Sequence, residues 1–212
     1  MKKLIFFAFF IPSIAFAQLE GSKQMFESPK LKSTIQLHKT VAILPFNVKI
    51  TYRKQPKGYS LEGNLDQEQK MAKSIQGSMY TFLLRKSDEY SVAFQDIDKT
   101  NILLKKAGME GKLDEYTKDE VAKALGVDAV LGGLFETEQT KSDGAAIASM
   151  VLLGGFGGKT GTGSLVLTLN NASDGELLWR FFKSMDDSVG GSTDDLVERM
   201  MRKVSRNFPY AK

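Results

Sequence analysis

The chain has 212 residues and no cysteine, with 42% apolar, 25% charged and 10% aromatic residues, which describes one globular domain rather than a disordered, collagenous or disulfide-stapled chain. Its formal charge of +4 falls to +2 once Lys2 and Lys3 are set aside as part of a removable leader, and basic residues scattered among acids give no support for a nucleic-acid partner. The missing cysteines exclude disulfides, thiolate metal ligands, a cysteine nucleophile and a lipid anchor on the mature amino terminus.

Residues 1–17 read as a secretory signal peptide of bacterial type. Lys2 and Lys3 start it, Leu4 to Ile14 form its apolar stretch, and Ala15-Phe16-Ala17 supplies the small-x-small cleavage pattern. The apolar stretch falls short of the ~20 residues that span a bilayer. The mature chain then starts at Gln18 and its expected place is the periplasm, with an association at the outer membrane left open. Residues 18–39 alternate polar and isolated apolar residues and read as an extended amino-terminal arm.

The ordered domain is expected over 40–212. Thr40 to Leu44 is a β-branched apolar run stopped by Pro45, suited to a strand buried on both faces. Lys49 to Gly63 is polar, holds Pro56 and Gly58, and reads as a loop. From Leu65 to Lys86, Met71, Ile75, Met79, Phe82 and Leu83 recur at intervals of three and four and mark one stripe of a long amphipathic helix. Tyr90 to Phe94 reads as a second strand, and Asp96 to Gly108 as a short helix burying Ile102, Leu103 and Leu104.

Thr117-Lys118-Asp119-Glu120 has the form of a capping box, and the helix it opens ends at Gly126. Asp128 to Glu138 is the third strand, where Gly132-Gly133 marks a bulge or a close approach of backbone. Ser164 to Ala172 and Glu176 to Ser184 form a hairpin across Ser173-Asp174-Gly175, since Asp-Gly permits the positive φ angles of such turns. The buried faces are expected to be Leu165, Leu167 and Leu169 on one strand, and Leu177, Trp179 and Phe181 on the other. A last helix from Thr193 to Asn207 carries Asp194 and Asp195 in its first turn. The expected architecture is α/β: a mixed five-stranded sheet with helices packed on it, β-α-β-α in the first half, an antiparallel meander in the second, and a carboxy-terminal helix.

No reactive constellation accompanies this pattern. Gly157-Gly158-Lys159-Thr160 lacks the glycine a phosphate loop needs at position 153, and it leads into a strand rather than a helix. His38 is the sole histidine, with no acid beside it in a recognisable motif, and is expected in a surface or linker role. Asp186-Asp187 and Asp194-Asp195 are adjacent acids whose side chains diverge, as turn and helix-start residues do. No metal-ligand spacing and no nucleophile elbow occur, so the expectation is a protein that is not an enzyme and takes no cofactor.

The segment 139–163 stands apart as an apolar, glycine-rich insertion in the meander. Ile147, Met150, Val151, Leu152, Leu153 and Phe156 are its large apolar residues and the candidate partner contacts. A short helix or flap folded on the sheet, contact with a partner and contact with a membrane are the alternatives. A spanning helix is too long for it, and Met150 to Leu153 lacks the alternation of a spanning strand.

Three phrases carry a family resemblance: Val41-Ala42-Ile43-Leu44-Pro45-Phe46, Ala124-Leu125-Gly126-Val127-Asp128-Ala129-Val130-Leu131-Gly132-Gly133, and Leu167-Thr168-Leu169 through Ser173-Asp174-Gly175-Glu176-Leu177-Leu178-Trp179. Together they resemble the bacterial envelope superfamily of the TolB amino-terminal domain, the curli secretion channel CsgG and the outer-membrane activator of a penicillin-binding protein. The resemblance covers about residues 40 to 208 and implies a non-enzymatic periplasmic accessory protein that binds another cell-envelope protein or outer-membrane component. It also leaves open a homo-oligomeric, outer-membrane-associated secretion channel subunit. An unrecognised small-ligand binder or enzyme is the third alternative. Two features depart from the family: the lipidated cysteine is missing, and, while Gly144 to Gly163 lies where the channel subunit's first inserted hairpin would be, Ser184 to Gly191 is short and polar where a second would be sought. Gly126 and Asp128 fit the family phrase as a helix end and a strand start.

Overall fold

A computed structural model of the chain describes residues 23–139, 155–156, 161–185 and 191–212. In chain order these form β1 (Lys23–Glu27), α1 (Leu31–Ile35), β2 (Thr40–Ile43), β3 (Asn47–Tyr52), α2 (Leu61–Arg85), β4 (Ala93–Phe94), α3 (Ile97–Lys106), α4 (Lys118–Leu125), β5 (Ala129–Gln139), β6 (Gly155–Phe156), β7 (Gly161–Asn171), β8 (Leu177–Met185), β9 (Gly191–Ser192) and α5 (Thr193–Val204).

The described residues build a seven-stranded mixed sheet in the order β1-β8-β7-β5-β2-β4, with β3 also paired to β5. Strands β2, β3 and β4 run parallel to their neighbours, while β5, β7, β8 and β1 form the antiparallel meander. The α/β class is as expected, but the sheet has seven strands rather than five, and the two additions have local causes. Asn47–Tyr52 is a strand and not a loop, because Val48 and Ile50 alternate into the core while Asn47, Lys49 and Thr51 face out. Lys23–Glu27 is a strand and not part of a loose arm, because β8 holds it in antiparallel register from Lys23↔Lys183 to Glu27↔Trp179.

Both β2 and β3 lie along β5, and the chain passes from one to the other through a bulge. Ile43 is opposite Leu131 and Asn47 is opposite Leu134, so Leu44-Pro45-Phe46 faces only Gly132-Gly133. Gly133 is the close approach: a methyl group built on it would lie inside the Phe46 ring.

Helix α2 is stapled at Ser60, whose Oγ accepts from the Gly63 amide at 3.1 Å, so it begins four residues before the expected Leu65. Its stripe of Ile75, Met79, Phe82 and Leu83 is buried, with Met71 half-buried. In α3 only Leu104 of the expected trio is fully buried and Ile102 is exposed, since three consecutive helical residues cannot share one face. Helix α4 has its capping box, with Glu120 accepting from the Thr117 amide at 2.9 Å, and Gly126 ends it at φ 66°. Regular pairing in the second strand is confined to Ala93–Phe94, while Tyr90 bridges to Ala211.

The two sheet faces carry separate cores. On one, α2 and α5 cover Val41, Ile43, Phe135, Leu165, Leu167, Leu169, Trp179 and Phe181. On the other, α3 and α4 cover Ala42, Leu44 and Val130. The hairpin turn is as expected: Gly175 has φ 71°, and Asp174 Oδ1 accepts from the Glu176 amide at 3.0 Å. A register shift between Leu169 and Asn170 moves the buried role at the start of β8 from Leu177 to Leu178.

Candidate functional site

The lone histidine is not on the surface. A hydrogen-bonded turn follows α1 and carries His38 inward, where it is 7% exposed between the carboxy-terminal segment and the end of β7. Its Nδ1 lies 2.6 Å from the Tyr210 hydroxyl and its Nε2 lies 3.1 Å from Asn171 Oδ1. The Asn171 amide nitrogen donates to Ser173 Oγ at 2.7 Å and to Asp174 Oδ1 at 2.8 Å, which fixes the amide orientation. Asn171 Oδ1 can therefore only accept, so the His38 Nε2–H donates to it and Nδ1 accepts the Tyr210 proton. Burial, with the Asp128 carboxylate nearby, pushes the Tyr210 hydroxyl far above its ordinary range and keeps that proton in place.

Asp128 lies beside this chain of contacts. Its Oδ2 accepts from the Lys39 amide at 2.8 Å and the Thr40 amide at 2.9 Å, fastening the start of β2 to the start of β5. Burial acts to raise its pKa, but the amides of Thr40 and Lys39, with the Lys39 ammonium nearby, prevail and hold it below the usual carboxylate range. Both ring nitrogens of His38 and the side-chain amide of Asn171 face protein partners, so this cluster joins three distant segments. Sequence reasoning missed it because Tyr210 and Asn171 are 172 and 133 residues away from His38.

Among the described residues no group of three histidines or acids is placed to hold a metal ion. Gly157 to Thr160 and Asp186-Asp187 lie outside the described residues, and the strand β7 follows the former from Gly161. A surface cavity of about 410 Å³ opens where α2 packs on α5, walled by Ser74, Gly77 and Thr81, with Arg85 and Glu198 at its sides. The Arg85 guanidinium rests over the Phe82 ring at 5.7 Å.

Of the candidate partner contacts, Ile147, Met150, Val151, Leu152 and Leu153 lie outside the described residues. Phe156 lies in β6, whose backbone pairs antiparallel with β9: Gly155 opposite Ser192 and Phe156 opposite Gly191. The register of the meander puts the ends of two chain segments at one end of the sheet. The last β5–β7 pair is Gln139↔Gly161, and the first β7–β8 pair is Gly163↔Met185. Gln139, Gly161, Gly163 and Met185 therefore lie at one end of the sheet, and β9 leads directly into α5.

No protein-family model matches the chain, and no curated protein matches it. Among solved structures it is similar to a PelC dodecamer from Paraburkholderia phytofirmans, at 13% identity and TM-score 0.43, covering 91% of this chain and 99% of that one. It is also similar to lipoprotein GNA1162 from Neisseria meningitidis, at 14% identity and TM-score 0.42, covering 80% and 98%. The LpoB C-terminal domain from Salmonella enterica follows at 10% identity and TM-score 0.34, covering 74% and 93%. No residue role passes from these structures to this chain.

Proposed function

We propose that the protein is a non-enzymatic accessory component of the bacterial cell envelope, exported by residues 1–17, that binds another envelope protein through the end of the sheet bearing β6 and β9. The observation that carries this reading is the β6–β9 pairing. It brings Phe156, the last large apolar residue of the insertion, beside Gly191 and so joins two separate segments into one feature at one end of the body. A backbone ladder held beside a filled sheet is a platform for recognition, and large apolar residues such as those in the sequence of the insertion are the natural centre of a protein interface.

The test is site-specific photo-crosslinking in cells, with the crosslinking residue placed at Phe156 and, as a control, at the exposed Ile102 of α3. The expected result is one envelope protein captured from position 156 and not from 102, and lost when residues 145–153 are replaced by a short polar turn that leaves position 156 in place, while the melting transition stays where it was. Absence of capture, capture that survives the replacement, or a collapse of the transition on replacement would each sink the reading.

A further inference from the structure

The sheet has two edges, and they differ. On the β3 side, α2 supplies substitutes for a strand: Glu68 Oε1 accepts from the Ile50 amide at 2.8 Å, and Asn64 Nδ2 donates to the Ile50 carbonyl at 3.2 Å. On the β4 side the carboxy-terminal segment runs alongside, with Ser91 donating to the Tyr210 carbonyl at 2.9 Å and Lys212 to the Glu89 carbonyl at 2.9 Å. Strand β1 at the other edge has no such cover among the described residues, and all five of its side chains are exposed, including Met25 and Phe26. Neither helical layer reaches over it.

The geometry of β1 defines what fits there. The Ser28 amide donates to the Leu178 carbonyl at 2.8 Å, so Ser28 and Leu178 form a hydrogen-bonded pair. Antiparallel ladders alternate, so Phe26 and Gln24 also turn their backbone groups toward β8, while Lys23, Met25 and Glu27 turn theirs outward. The sequence of the strand, Lys23-Gln24-Met25-Phe26-Glu27, is complementary to itself when reversed. A second copy laid antiparallel about a two-fold axis at Met25 sets Lys23 against the second copy's Glu27 at each end, Met25 against Met25, and Gln24 against Phe26. The three outward residues are then the ones that form the hydrogen-bonded pairs, and opposite charges directly across a strand pair are favourable whereas like charges are not.

We infer that β1 is a homodimerisation edge: two copies of this chain join their sheets antiparallel through Lys23–Glu27, with the two-fold axis at Met25. Such an interface is isologous and uses up the edge on both copies, so it closes at two and does not propagate into fibres. A five-residue edge buries less than the ~1,200 Å² of a stable interface, so the dimer forms and dissociates with concentration. The contact involves none of the residues at the β6–β9 end and stands apart from any partner bound there.

The absence of cysteine makes the test direct, because a single introduced thiol has no intramolecular partner. In the two-fold pair, residue 25 faces its own counterpart with Cα atoms about 5.5 Å apart, inside the span of a disulfide. Residue 26 is offset from its counterpart by two residues, about 7 Å along the strand, and does not reach it. Under mild oxidation Met25→Cys is expected to give a covalent dimer at least tenfold faster than Phe26→Cys. In sedimentation velocity over a concentration series, Lys23→Glu and Glu27→Lys each weaken the monomer–dimer equilibrium, and the double exchange Lys23→Glu/Glu27→Lys restores it. Equal crosslinking at 25 and 26, a monomer at every concentration, or no restoration by the double exchange would overturn the inference; matched melting curves show that each variant is folded.

Discussion

At Gly133 a single hydrogen in place of a side chain lets two strands of one sheet share a bulge. The Phe46 ring occupies the space that any Cβ at 133 would take, on the face covered by α2, and Phe46 is itself almost fully buried. Gly133→Ala therefore overpacks the core and is expected to lower stability by about 1–3 kcal/mol, read as a shift of the urea midpoint. Most of that cost vanishes in a Phe46→Leu background, where the ring is gone, and a double-mutant cycle that shows simple additivity would rule out this contact as the cause. His38 makes a second prediction of the same size by a different route. Tyr210→Phe deletes only the hydroxyl that donates to Nδ1, and a buried acceptor left without a donor costs about 1–3 kcal/mol. A midpoint unchanged in Tyr210→Phe would mean that another donor replaces the phenol.

The junction of β2 and β5 turns one carboxylate into a pH-dependent fastening of two elements. Asp128 has a lower pKa folded than unfolded, because its backbone donors exist only in the fold, so its contribution is present above the unfolded value and is lost as the pH falls through the folded one. Asp174 and Glu176 at the β7–β8 turn are lowered too, Asp174 first by the Glu176 amide and Glu176 first by Lys30, and they act in the same direction. Stability should fall on acidification below about pH 4, and Asp128→Asn should be weaker at neutral pH with a shallower acid limb; an identical pH profile in the variant would exclude Asp128.

Elements held by such local devices were the ones legible in the sequence: the capping box of α4, the Asp-Gly hairpin, the α2 stripe and the apolar run of β2. Elements made by tertiary pairing were not. Strand β1 carries no burial pattern of its own, since every side chain is exposed and only register with β8 makes it a strand. Strand β3 was hidden behind Pro56 and Gly58, which punctuate the loop after it, although Val48 and Ile50 alternate as a strand should. Of the candidate contact residues, only Phe156 has a backbone partner among the described residues, and no periodicity in the insertion foretells pairing with Gly191.

The whole molecule is closed by its last five residues. After α5 the chain returns across the sheet so that Phe208, 3% exposed, sits among Tyr90, Phe94, Trp179 and Tyr210 at ring-centre distances of 5.5, 6.4, 6.0 and 6.0 Å. These rings come from the β4 side, from β8 and from the tail itself, so one segment bridges strands that are not neighbours in the sheet. Tyr210, wholly buried, continues the bridge to His38 and through it to Asn171 and the β7–β8 turn. Losing a buried aromatic costs about 3–5 kcal/mol, and two such losses approach the ~5–15 kcal/mol that holds a typical domain together. A chain ending at Asn207 is therefore expected to lose its cooperative melting transition and near-ultraviolet circular dichroism. A chain ending at Tyr210 keeps both rings and the Tyr210 hydroxyl, gives up the Tyr90–Ala211 bridge and the Lys212 contact with Glu89, and should melt cooperatively a few degrees lower. If the chain ending at Asn207 melts as sharply as the full one, the core does not depend on this wedge.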